Sequence, residues 1–440
     1  MHWLRTTALV SGAWFSTLAI ACGSVIGAEL SAGVARIDLT PPLEMNAPLG
    51  GYGERMNRPA EGVHDRIFAK ALVVSDGKRK FALVTADLLG FSPAIKPAIV
   101  ERLAAEGWSA EQLLLLASHS HASIEMNAIN PLNTFQIPQI GIHNPELYEL
   151  TINNLVSVIR SAAQSLTPVK VGVSSQEIPG WNRNRRTRDG TTDDELTIVR
   201  IDTVTGKPLA VLVNFTAHPT FLGAETMVFS AGWPGYLQRT LETVIGEGAT
   251  AMFYNGAEGD QSPVSRPLAG ASHWERAERF GVELALEAER LWKSTELGSD
   301  VVFDFGVERI ELPPRTWHPG FKETGGAEYG LTEAVLKEML PKMFPAESAS
   351  VSLRLGDWMV VGIPGEMTAE LGLQIKTAAK QAAQVQHVTI GGLADVWLSY
   401  ILTAEEYRRG GYEASVSFYG ESLGEVVVET VIDGASRLNK

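Results

Sequence analysis

Cysteine is almost missing: the 440 residues contain one, Cys22. A single thiol excludes an intramolecular disulfide framework and every multi-cysteine metal motif, so a bound metal would have to be held by His, Asp, Glu or Tyr. Positive charge is also short, with 37 Lys and Arg against 51 Asp and Glu and a formal net charge of −14. Such a chain gains no bulk attraction to phosphate backbones, and no nucleic-acid partner is expected. After residue 28 no apolar run approaches the roughly 20 residues that span a bilayer. There is no internal repeat, no low-complexity tract, no Gly-x-Ser-x-Gly elbow and no phosphate-binding loop. What is present is 45% hydrophobic and 20% charged, the composition of a folded globular protein.

Residues 1–28 have Arg5 as their only full charge, then an apolar stretch Ala8–Ala21 and a small-residue exit, Val25-Ile26-Gly27-Ala28. That order predicts a secretory signal peptide over 1–28, cleaved after Ala28, and a secreted or periplasmic protein. The rival is a lipoprotein modified at Cys22, a poorer match because the preferred leucine is missing three residues before the cysteine.

From Glu29 onward short apolar runs alternate with amphipathic stretches, which predicts an α/β fold with layered elements and a mixed sheet. Strands are predicted at Ile67–Val74, Lys80–Ala86, Gln112–Ala117, Val169–Val173, Leu196–Asp202, Leu209–Phe215, Ala251–Tyr254, Val301–Ile310, Val351–Leu355, Trp358–Ile363 and Val388–Ile390. Helices are predicted at Ala94–Glu106, Pro145–Ser165, Pro234–Val244, Ser272–Lys293, Leu331–Leu340, Met367–Ala383 and Leu423–Leu438. Four segments rich in Pro, Gly, Asn and charge read as long loops: Ile129–His143, Trp181–Asp194, Arg315–Tyr329 and Pro341–Ser348. Loops of that size often carry binding surfaces.

Three apolar runs end in residues that can ligate a metal. Leu113–Ala117 is followed by His119-Ser120-His121, and histidines at i and i+2 on an extended chain share one face. Val211–Phe215 is followed by His218, and Trp358–Ile363 by Glu366 at the predicted start of a helix. Ends of this kind are where open α/β sheets hold their ligands, and two histidines with a glutamate suit catalytic zinc with a position left for water. Each residue also has a plainer reading: His119 and His121 as solvated residues of a polar strand exit, His218 as a structural histidine, Glu366 as a helix-dipole partner. Asn255–Pro263 reads as a glycine-rich turn that brings backbone close to a ligand or simply turns, with Ser262 as an exposed hydroxyl. The tyrosines between Trp397 and Tyr412 have no functional spacing of their own.

Together these segments resemble the neutral ceramidase family, zinc-dependent amidases that hydrolyse the N-acyl bond of ceramide. The resemblance runs in order from Gly33–Pro41 through Gly51-Tyr52-Gly53, Gly62–Arg66, Thr85–Leu88, the His119/His121 pair, His218, Gly259–Pro263, Pro364–Thr368 and Ser399-Tyr400 to Tyr412–Ser415. It implies that His119, His218, Glu366 and Tyr400 hold Zn2+, with His121 beside it facing substrate. It further implies catalytic roles for Arg185, from Asn182-Arg183-Asn184-Arg185, and for Tyr412, twelve residues past Tyr400. Ser262 falls on the family's Gly-Asp-x-Ser-Pro serine, in a supporting role. The implied reaction is hydrolysis of ceramide or a related N-acylated lipid by zinc-activated water, with contact to membranes only through that substrate. The implied architecture is one catalytic domain over 29–440, without the C-terminal immunoglobulin-like domain of full-length members.

The chain departs from the family at Ala122-Ser123-Ile124 after the second histidine, at Ser230-Ala231-Gly232-Trp233-Pro234, and at Arg186-Thr187-Arg188. These changes are expected to reshape the substrate pocket more than the metal site. Alternative functions are a zinc hydrolase of a peptide or N-acyl amino compound, and a binding protein that keeps the fold without catalysis.

Overall fold

The computed structural model describes residues 30–246, 248–264 and 270–438. The expected signal peptide, its cleavage after Ala28, and Cys22 lie outside the described residues.

Eight strands form the larger sheet: β1 (Ser31–Asp38), β2 (Phe68–Ser75), β3 (Lys80–Ala86), β4 (Leu113–Ala117), β5 (Thr167–Glu177), β6 (Glu195–Thr203), β7 (Pro208–Phe215) and β8 (Thr250–Asn255). Their spatial order is β8-β7-β6-β5-β1-β2-β3-β4. Neighbours run antiparallel except β3 with β4 and β7 with β8, which are parallel. A second sheet has β9 (Phe303–Glu311), β10 (Glu347–Leu355), β11 (Trp358–Gly362) and β12 (His387–Gly391) in sequence order, with β11 and β12 parallel.

The two sheets pack face to face, and this explains the unbroken Leu113–Leu116 run. Leu114 and Leu116 point between the sheets among Val351, Leu353, Trp358 and Val360. Leu113, Leu115 and Ala117 point the other way, against α1 (Ile95–Leu103) and α2 (Pro145–Ala163). A strand buried on both faces needs apolar residues at every position instead of alternating ones. The same outer face under β6–β8 is covered by α3 (Gly232–Ile245) and α4 (His273–Ser294), through Leu237, Leu241 and Leu284. The outer face of the second sheet is covered by α5 (Glu333–Met343), α6 (Ala369–Ala383) and α7 (Leu423–Arg437). The result is four layers, helix-sheet-sheet-helix, in which each sheet buries both faces.

All the predicted strands and helices are present within a few residues. The strand β1 was not anticipated, because Ser31, Ala32 and Gly33 dilute its apolar signal. It pairs along its whole length with β2, from Ser31–Ser75 to Asp38–Phe68. Gly33 is required there, since a Cβ would lie 2.2 Å from the Ala162 carbonyl oxygen at the end of α2. The predicted loop Pro341–Ser348 shrinks to residues 344–346, because α5 runs through Pro341 to Met343 and β10 begins at Glu347. A proline in the last turn removes one hydrogen bond without stopping the helix before it.

Two buried polar contacts place the loops around the strand ends. Asp395 accepts a hydrogen bond from the Leu115 N–H (2.9 Å), returns one from its own N–H to the Leu115 carbonyl (2.9 Å), and is paired with Lys96 at 2.7 Å. Lys376 of α6 is 3% exposed and pairs with Asp193 and Glu195, both at 2.8 Å, which ties the Trp181–Asp194 loop to the helix layer. Removing one member of a buried ion pair leaves an uncompensated charge, so Lys376→Ala is expected to cost about 3–5 kcal/mol. Chemical denaturation of the variant measures it, and a loss below about 1 kcal/mol would contradict a role in anchoring this loop.

Candidate metal centre and its cavity

The strands β4, β7, β8 and β11 all release their chains at one end of the sheets, and the four exits carry His119, His218, Glu258 and Glu366. Asn255, at the end of β8, holds two of these exits in place. Its side chain donates to the Ala217 carbonyl at 2.8 Å and to the Ser118 carbonyl at 3.5 Å, and accepts from the Ala217 N–H at 3.1 Å. Asn214 of β7 donates to the Ile390 carbonyl of β12 at 3.0 Å and so fastens the sheets together just below the site.

His119 and His121 meet, though not by strand alternation. Chain extension ends at Ala117, and His119 has a left-handed backbone with φ of 66°. The turn, not a shared strand face, brings the two rings edge to face with their Nε2 atoms 3.1 Å apart. Glu366 also differs from the expectation of a helix start. It lies in the two-residue strand Glu366–Met367, in parallel register with Tyr400–Ile401, and α6 begins three residues later. That register sets Glu366 directly beside Tyr400, two residues that the sequence separates by 34 positions.

His218 and His119 are each oriented by the far nitrogen. His218 Nδ1 donates to the Glu258 carbonyl at 2.6 Å and His119 Nδ1 to the Leu89 carbonyl at 2.6 Å. This fixes the tautomer and leaves both Nε2 lone pairs facing inward. His218 Nε2 is 3.0 Å and His119 Nε2 3.5 Å from the same Glu366 oxygen, Oε2. The other Glu366 oxygen accepts from Trp397 Nε1 at 2.8 Å. Burial drives the imidazoles toward the neutral form, His218 down to about 4 with Arg185 adding to the effect, and His121 well below its usual value with His119 and His218 adding to it. Burial opposes ionisation of Glu366, but the facing His119 and His218 rings outweigh it and hold the carboxyl well below its usual range. Neutral imidazoles beside an ionised carboxylate are the protonation states in which these groups ligate a cation. Among the described residues, His119, His121 and His218 offer ligand atoms within 4.8 Å of one another, and His119, Glu258 and Glu366 do the same. The donor set is nitrogen and oxygen without thiolate, and it fits a divalent metal ion.

The expected site residues divide into three groups. His119, His121, Glu366, Tyr400 and Tyr412 line one cavity, with His218 buried directly behind them. Tyr412 stacks edge-on to Tyr400 at 5.8 Å and shares a hydrogen bond with Tyr329 Oη at 2.8 Å. Arg185 stands behind Tyr400: it donates to Tyr400 Oη at 3.0 Å, the Gly259 carbonyl at 2.9 Å and Glu413 at 2.8 Å. It is not among the residues that line the cavity, and its contact with the site runs to Tyr400. Ser262 is the middle rung of a short pairing between Gln261–Pro263 and Asn182–Asn184. Among the described residues it forms no hydrogen bond to the histidines, Glu366 or Tyr400.

Sequence reasoning missed several members. Trp397 and Tyr329 act on site residues, Tyr52 lies 5.0 Å from the His121 ring, and Arg55, 1% exposed, reaches the carbonyls of Gly50, His121 and Gly223. Glu258 could have been found from its strand exit, the same signal that marked the other three. None of residues 122–124 or 230–234, where the chain departs from the family, is among those that line the cavity. Ala122 and Ile124 are core residues, and Trp233 is buried against Phe253 and Phe280.

The cavity lining is mixed. Met126, Met339, Met343, Phe344, Val416 and Phe418 are apolar, while Glu125, Asn127, Asn130 and Gln139 bring polar groups. Asn130, Gln139 and Tyr329 come from two of the predicted long loops. Burial pushes the Glu125 carboxyl up to about 7. An acid raised in the folded state lowers stability as pH climbs from its unfolded value near 4.5 toward 7. Because Glu125 keeps part of its surface open to the cavity, solvent screening reduces the effect. Glu125→Gln is expected to be more stable than the parent by about 1–2 kcal/mol at pH 8 and equal to it at pH 4. Denaturation midpoints at the two pH values decide this, and a pH-independent difference would count against it.

Residues 30–272 and 336–428 match the family described as neutral/alkaline non-lysosomal ceramidase, N-terminal. The neutral ceramidase of Pseudomonas aeruginosa is 22% identical over an alignment covering 89% of this chain and 69% of that protein. The neutral ceramidase of Mycobacterium tuberculosis is 24% identical, with 88% and 74% covered. The crystal structure of neutral ceramidase from Pseudomonas aeruginosa superposes with a TM-score of 0.79 at 20% identity, over 93% of this chain and 74% of that one, which shows a common fold. With more than half of its length inside the family match, the chain belongs to the neutral/alkaline non-lysosomal ceramidase family.

Proposed function

We propose that the protein hydrolyses the N-acyl amide bond of ceramide or a related N-acylated lipid, with Zn2+ held by His119, His218, Glu366 and Tyr400. The observation that carries this reading is the convergence of two oriented Nε2 atoms and Glu366 Oε2 at one cavity whose lining includes Met and Phe side chains as well as polar ones. The apolar side chains suit an acyl chain, and the polar groups suit the head of the substrate. Bound Zn2+ would supply a water of near-neutral pKa, about 7 in well-studied sites, and polarise the carbonyl.

The chain's own residues supply the rest. Burial, with Glu328 nearby, raises the Tyr412 phenol above its usual value, so it remains a donor at neutral pH and can hydrogen-bond the developing oxyanion. Burial holds His121 toward the neutral form, and its Nδ1 has no hydrogen-bond partner among the described residues. It can accept a proton from the attacking water and return it to the departing nitrogen. Tyr329 aligns Tyr412, Arg185 aligns Tyr400, and the Met and Phe wall excludes water from the acyl side. Export follows from the order of residues 1–28, and no helix among the described residues is long and apolar enough to cross a membrane.

The test is hydrolysis of N-acylsphingosine by purified protein, with and without a metal chelator. Release of fatty acid that the chelator removes and Zn2+ restores supports the reading. Activity restricted to N-acyl amino acids or peptides would move the substrate class while keeping the metal chemistry. Folded protein with neither activity nor metal would leave a binding role.

A further inference from the structure

Glu258 has no explanation as a structural residue. It is fully buried, and neither carboxylate oxygen has a hydrogen-bond partner in another described residue. Other buried acids of this fold are partnered. Asp260 accepts from Gln261 Nε2 at 2.9 Å and from the Ala369 N–H at 2.9 Å, Asp193 is bound by Lys376, and Asp87 accepts from Phe68 N–H and Gln238. A buried carboxylate without a partner is costly, and a group this close to His119 and Glu366 has one obvious way to acquire a partner. One Glu258 oxygen lies within 4.8 Å of ligand atoms of both. The surroundings leave room for the side chain: a Cβ on Gly392 would lie 2.6 Å from Glu258 Oε2. Its backbone carbonyl meanwhile orients His218, so the residue serves the site from both its main chain and its side chain.

We propose that Glu258 is a further carboxylate ligand of the cation held by His119, His218, Glu366 and Tyr400, and that it tilts the site toward oxygen-preferring divalent ions such as Mn2+. The inference rests on the metal reading above. Ionised together on cation binding, Glu258 and Glu366 would carry −2, the charge a divalent ion balances. A second carboxylate makes the set richer in hard oxygen donors, which favour Mn2+ and Mg2+ more than a set of two histidines and one carboxylate does.

The experiment uses metal-stripped full-length protein and measures Zn2+ and Mn2+ dissociation constants by competition with a chromophoric chelator, for the parent, Glu258→Gln and Glu258→Asp. Outer-shell changes alone cost about 10–100-fold in affinity, and loss of a direct ligand is expected to reach that range for Zn2+ and exceed it for Mn2+. Glu258→Asp keeps the charge and is expected to recover part of the loss. Co2+ loaded in place of Zn2+ should change its visible spectrum in Glu258→Gln, since coordination alters. Because Gln removes an unpartnered carboxylate, the metal-free variant is expected to melt no lower than the metal-free parent, which separates ligand loss from misfolding. Equal affinities for both ions in parent and Glu258→Gln overturn the proposal, as does equal loss for both ions for its selectivity part. A parent that binds no stoichiometric divalent ion would instead overturn the metal reading on which it stands.

Discussion

His218→Ala is expected to lose its stoichiometric metal and its amidase activity together. The ring is fully buried, its Nδ1 is committed to the Glu258 carbonyl, and its Nε2 faces Glu366, so no other side chain can take its place without moving a strand exit. Disturbing an outer-shell partner of a metal site costs about 10–100-fold in affinity, and removal of the ligand itself is expected to cost more than about 100-fold. Elemental analysis of purified protein reads the metal directly, and full zinc retention in the variant would sink the ligand assignment. His121→Ala gives the contrast. It lines the cavity, and its Nδ1 is buried with no hydrogen-bond partner among the described residues, so the variant is expected to keep its metal and lose about 10²–10⁴ in turnover, the range of a proton-transfer group.

The second large effect is expected at Arg185. Its guanidinium donates at once to Tyr400, to the Gly259 carbonyl and to Glu413, and it sits behind the tyrosine that pairs in register with Glu366. Arg185→Ala is therefore expected to weaken metal binding by about 10–100-fold. It also leaves the buried Glu413 with Arg186 as its remaining ion-pair partner, at about 1–3 kcal/mol of stability. Arg185→Lys keeps the charge but loses the fork that reaches several acceptors, and should recover stability better than metal affinity. A variant with normal affinity but reduced turnover would instead make Arg185 a donor to the reacting carbonyl.

The layered α/β fold was readable because most strands are continuous apolar runs and most helices have clear starts, such as the Asn144 cap before Pro145 and the Ser272–Glu275 capping box. β1 escaped because small residues chosen for close packing carry no periodic signal. The site was readable where chemistry sits at the end of an apolar run, as for His119, His218 and Glu366. It was not readable where it depends on register or on turns. The pairing of Glu366 with Tyr400, the left-handed turn at His119 and the Tyr329–Tyr412 contact are products of tertiary folding. Glu258 went unassigned because a glutamate among glycines reads as a turn until its burial is known.

The Asp395 contact with Leu115 has a consequence away from the chemistry. β4 is the last strand of the larger sheet, and an exposed terminal strand is a template on which another chain can add itself. Asp395 occupies both backbone groups of the central residue of that strand, and Lys96 places a charge beside it. This strand, five residues without a single polar side chain, is thereby closed to strand addition, and this guards an acidic chain against edge-to-edge aggregation while its His119 end stays open to the cavity.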